Sequence, residues 1–122
     1  MMNQLFAVAL SIFTVSTGFA QLSPIPPYGM SCRNPTYEVW VWPSSSSKHL
    51  KFEIFRKSGN LLRQAGVLPL TSIQGSTLTF SKSKIKIAVI IPDPVKINIA
   101  SIHFSHPLLG NSWMSFKECD IQ

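Results

Sequence analysis

Proton-transfer chemistry in this 122-residue chain must draw on three histidines, His49, His103 and His106, and five carboxylates, Glu38, Glu53, Asp93, Glu118 and Asp120. A general acid–base pair needs a carboxylate set opposite an imidazole. No acid occurs between Glu53 and Asp93, and Asp93 sits between two prolines, a poor seat for a rigid base. An enzyme built on His106 would therefore have to bring in Glu38 or Glu53 from an earlier element. His49 and His103 read as surface or half-buried strand residues, and His106 as a solvent-facing residue at the start of a loop. No C-x-x-C or H-x-x-x-H spacing is present, so neither a metal nor another cofactor is expected.

Binding chemistry is better represented. Eleven Lys and Arg against five Asp and Glu give a net charge of +6. Lys82, Lys84 and Lys86 recur at period 2, which would put three ammonium groups on one sheet face. Such a row can attract phosphate and so RNA, or can simply keep a solvated sheet from pairing at its edge. Trp40 and Trp42 can stack bases or anchor a protein partner. Charged residues make up only 13% and apolar residues 45%, which excludes a disordered chain and a coiled coil.

These residues need a frame. Residues 1–20 have the features of a secretory signal: an apolar run over 5–15, then Gly18-Phe19-Ala20 as a small-x-small ending. The apolar run is too short for a membrane span. Residues 21–31, with Pro24, Pro26, Pro27 and Gly29, form an extended lead-in, and residues 32–122 form one domain. In a secreted chain of this size Cys32 and Cys119 are expected to pair.

Nine prolines disfavour long helices, and many β-branched residues favour strands. Alternation predicts strands over 37–42, 76–80, 84–91 and 95–104, with a last strand over 113–119. Residues 61–70, interrupted by Gly66 and Pro69, make at most a short or edge strand. The segment 47–58 carries two signals. Leu50, Phe52 and Ile54 alternate as in a strand. Leu50, Ile54 and Phe55 share a helical face, and Arg56, Lys57 and Gly59 suit a helix end. The helix is the reading adopted, giving an α+β fold with an antiparallel sheet and one packed helix; the alternative is an all-β sandwich.

The C-terminal third resembles the fungal guanyl-specific ribonucleases. Ala100-Ser101-Ile102-His103-Phe104-Ser105-His106 precedes Gly110-Asn111 and then Phe116-Lys117-Glu118-Cys119. The resemblance implies a ribonuclease-like sheet with one helix and His106 as the remnant of an acid, His103 being the rival placement. The interval that should supply the carboxylate base is empty, so it implies the scaffold without catalysis: a pseudoenzyme. A leader, a short mature chain, two terminal cysteines and an emptied site look like secreted effectors of plant-pathogenic fungi, notably powdery mildews. In that group an aromatic-x-Cys motif opens the mature protein, whereas Tyr28 here stands four residues before Cys32. That likeness implies a secreted monomer that enters the host cytoplasm and binds a host protein, an immune receptor among them, or RNA. The competing readings are an active secreted ribonuclease and an extracellular β-sandwich that binds a sugar, a lipid or a cell surface.

Overall fold

The protein is described by a computed structural model over residues 25–44, 48–110 and 112–122. The proposed leader, residues 1–20, lies outside them. Nine strands run in chain order: β1 Met30–Arg33, β2 Tyr37–Pro43, β3 His49–Arg56, β4 Leu61–Gln74, β5 Thr77–Lys82, β6 Ile85–Ile90, β7 Ser101–Ser105, β8 Met114–Phe116 and β9 Glu118–Ile121. Three short 3-10 turns, at Ser58–Asn60, Ile97–Ile99 and Pro107–Leu109, are the helical structure among the described residues.

All ladders are antiparallel, in the order β8-β7-β6-β5-β4-β3-β2-β1-β9. The two ends of this order, β8 and β9, are separated in the chain by Lys117 alone. One residue spans only about 3.5 Å, so the sheet must curl until its ends meet. The Lys117 N–H donates to the Arg33 carbonyl at 3.3 Å across the seam. The result is a nearly closed β-barrel in which β8 and β9 share one position.

The helix expected over 47–58 is overturned: His49–Arg56 is strand β3. Burial decides it. As a strand, Leu50, Phe52 and Ile54 all face inward and are at most 2% exposed, whereas a helix would turn Phe52 away from the face of Leu50 and Ile54. Burying a phenylalanine is worth about 1.5–3 kcal/mol, more than a helix cap contributes. The supposed C-terminal signal serves a hairpin instead. Gly59 at φ 82° and Asn60 at φ 52° turn the chain from β3 into β4. With the helix gone, the α+β ribonuclease-like frame goes too; the protein is all-β, but as one nine-stranded curled sheet and not the sandwich of the alternative.

Two other expectations change. Residues 61–70 belong to a 14-residue strand, because β4 pairs with β3 through Leu61–Pro69 and with β5 from Leu70 onward. Residues 95–104 are a strand only from Ser101. Val95 is 87% exposed, and Ile97 is buried in the 3-10 turn Ile97–Ile99, which packs on β9. That turn covers an edge that a strand would have left open.

The interior is filled. Phe52, Phe80, Phe104 and Phe116 are buried on four different strands, and the rings of Phe52 and Phe104 meet across the barrel with centroids 5.4 Å apart. Eight strand positions enclose a space about wide enough for side chains alone. Cys32 and Cys119 stand directly opposite on β1 and β9 and form a disulfide, as expected. The Cys119 Sγ lies 3.2 Å from the Ala100 carbonyl oxygen, where the chain enters β7. The bond thus ties the last strand, β9, covalently to its ladder neighbour β1.

Candidate functional site

The nuclease-like constellation does not assemble. His106 continues the inward-facing series of Ile102 and Phe104 and is buried, not solvent-facing. Its Nδ1 accepts from the Leu108 N–H at 3.1 Å and so carries no proton. Glu53 lies on the outer side of the barrel wall, paired across the ladder with Trp40 and Ala65. Glu38 accepts from Trp40 Nε1 at 2.7 Å and sits 3.9 Å from Arg33 Nε. Neither carboxylate faces His106. His103 is on the outer face, edge-on to Trp113 with centroids 6.3 Å apart. Among the described residues no group of three His, Cys, Asp or Glu side chains could hold a metal ion.

Burial holds His106 below the usual imidazole range by penalising its cation. In the unfolded chain the same ring protonates near pH 6.5, so below about that pH the unfolded state binds more protons. Stability from this residue is complete above that value and is lost as pH falls through it toward the lower folded pKa. We expect the Tm to drop between about pH 7 and pH 5, and to drop less in His106→Asn, which can still cap the Leu108 N–H. Identical pH profiles for the two proteins would exclude His106 as the source.

The three lysines do not form one row. Ser81 pairs with Lys86 and Lys82 with Ile85, so Ser83 and Lys84 are the turn between β5 and β6. Lys82 carries the parity of inward-facing Leu78 and Phe80, Lys86 points outward, and Lys84 belongs to neither face. A period-2 count fails across a reversal of the chain. All three are exposed at the hairpin tip.

The tryptophans are brought to the surface together. Val39 and Val41 are fully buried inside, which sends Glu38, Trp40 and Trp42 outward. Trp40 lies 6.0 Å from Trp42 and 6.2 Å from Phe55 between ring centroids, making one half-buried aromatic stripe over β2 and β3. Arg33 braces its far side, bonding Asp120 at 2.8 Å. That hydrogen bond, before any longer-range charge, raises the guanidinium pKa further.

At the Trp42 end the stripe opens into a groove of about 740 Å³. Tyr28 and Trp42 stand on one side, Ala65 and Val67 on the other, with Lys51 and Glu53 between. From Ile25 onward the extended lead-in packs against the barrel. Ile25 is buried, the Gly29 N–H donates to the Pro26 carbonyl, and the Gln122 N–H donates to the Gly29 carbonyl. Gly29 is at φ 96°, and a Cβ there would come within 2.6 Å of both Trp42 Cδ1 and the Val41 carbonyl. Only glycine lets the chain lie against Trp42 and present Tyr28 beside it.

Of the groove residues, Trp42 was legible as a binding candidate, and Glu53 was considered only as a base. Tyr28, Lys51, Ala65 and Val67 were missed. The available signal was Gly66 inside a strand, which marks a close approach; here the Phe52 ring lies 3.1 Å from where its Cβ would be. Comparisons with protein-family models, with curated proteins and with solved structures give no match.

Proposed function

We propose that this protein is an extracellular binding module that recognises a protein partner through the Tyr28–Trp42 groove. The observation that carries the reading is an aromatic-walled groove on the outside of a barrel whose inside holds large buried side chains, among them Phe52, Phe80, Phe104 and Phe116. A carrier of small apolar ligands needs an internal cavity, and here that space holds phenylalanines. A small-molecule pocket also encloses most of its ligand, whereas this groove lies on an open sheet face. Tyr28 is 78% exposed, and tyrosine and tryptophan are the side chains that dominate protein interfaces. The buried disulfide belongs with an oxidising compartment such as the extracellular space. An effector-type role against a host protein is one form of this function. Catalysis has no assembled acid–base pair to support it.

The test selects binders from a phage-displayed random peptide library and measures them against Tyr28→Ala and Trp42→Ala. A loss of about 2 kcal/mol, near thirtyfold, is expected for each. Binders indifferent to both substitutions would end the groove reading. So would a protein that selects no peptide but binds homopolymeric RNA through Lys82, Lys84 and Lys86.

A further inference from the structure

The first half of β4 is a strand edge without a neighbour. Its hydrogen-bonding side toward β3 is occupied from Leu61 to Pro69. On the other side, β5 meets β4 only from Leu70 onward, with Leu70 opposite Phe80. Residues Leu61 to Leu68 therefore keep one row of backbone donors and acceptors unpaired by any described strand. Leu61, Leu62 and Val67 are 55%, 48% and 46% exposed. An exposed apolar edge of this length is a template for another strand.

The surrounding charge says which strand. Lys51 and Arg56 on β3, Lys57 in the hairpin turn and Arg63 on β4 itself are exposed. Beyond its last pair with β4, β5 runs on into exposed Lys82 and the turn that holds Lys84. Among the described residues of β3, β4 and β5, Glu53, opposite Ala65, is the one acid. A second copy of the chain would bring the same cations together, on top of +6 for each molecule. The ladder also shifts register between Ile54 and Phe55, leaving Arg63 without a partner across it. Arg63 on this edge adds a like charge that a second copy would have to face and an acidic strand would not.

We propose that the free edge of β4, residues 61–67, accepts an extended acidic segment of the partner by strand addition. The inference rests on the protein-binding reading and specifies its mode. Backbone hydrogen bonds to β4 supply affinity, and alternate side chains supply selectivity. Ala65 and Val67, which wall the groove, would stand beside every second residue of the added strand.

The probe is a fluorescein-labelled, capped heptapeptide of alternating glutamate and valine, added to the mature protein with its disulfide intact. Fluorescence anisotropy should report binding, and hydrogen exchange should slow across residues 61–67. Replacing glutamate by lysine, or N-methylating alternate amides of the probe, should weaken binding at least tenfold. Arg63→Glu should weaken it by a similar factor without moving the Tm. Equal binding of the N-methylated probe, or no protection at 61–67 under saturation, would overturn strand addition. A protein dimer that protects 61–67 without the peptide would overturn the acidic occupant. Library peptides that depend on Tyr28 yet leave 61–67 unprotected would remove this mode and leave the groove standing. Protection of 61–67 by the probe, with library binders indifferent to Tyr28, would do the reverse.

Discussion

Cys119→Ser should lower the Tm of the mature domain by roughly 20–30 °C. The Cys32–Cys119 bond closes a loop with a sequence separation of 87, worth on the order of 4–5 kcal/mol in the chain-entropy model. A domain of this size shifts by about 4–8 °C per kcal/mol. The position adds to the effect. β9 pairs with β1 alone, through the four residues Met30 to Arg33, and the disulfide sits within that short ladder. Without it, the seam relies on those pairs and on the bond from Lys117 to Arg33. Calorimetry with and without reductant measures the same quantity without a mutation. A Tm indifferent to reductant would show that the seam holds without covalent help.

Phe52→Ala should cost about 3–5 kcal/mol, the usual range for emptying a phenylalanine site in a core. Phe52 is 2% exposed and touches Phe104 on the opposite wall. Its neighbour on the β4 side is Gly66, which has no side chain to move into the space, and Val41 on the β2 side is itself fully buried in the core. The site therefore collapses poorly, and the upper part of the range is expected. Denaturant unfolding of the variant checks the fold as well as the number. A segment 47–58 folded as a helix on Leu50, Ile54 and Phe55 would leave Phe52 near solvent and the loss below about 1 kcal/mol.

Strands β2, β5 and β6 were legible along the chain because a strand's signature is local. Ile85, Ile87 and Val89 alternate with Lys86 and Ala88, and the pattern needs no partner to be read. The disulfide was legible for a different reason: two cysteines in such a chain leave one pairing. Segment 47–58 was ambiguous because Lys57, Ser58, Gly59 and Asn60 favour a left-handed reversal whether it ends a helix or turns a hairpin. Only the barrel interior, by offering burial to Leu50, Phe52 and Ile54 at once, distinguished the two.

The candidate site was half visible. Trp40 and Trp42 were apparent as bulky residues on the polar face of a strand. The lysine row misled, since a two-residue turn between Lys82 and Lys86 breaks the period on which it depends.

Residue order by itself determined the covalent closure, the alternating stretches of β2, β5 and β6 and the excess of positive charge, all properties of near neighbours or of composition. Tertiary structure alone decided that β8 and β9 would meet at one seam, that His106 would face inward, and that Tyr28 would join Trp42 across a groove from Val67. Those facts depend on which strands lie side by side. Adjacency of that kind is set by how the whole sheet curls to bury Phe52, Phe80, Phe104 and Phe116 together, which no local pattern records.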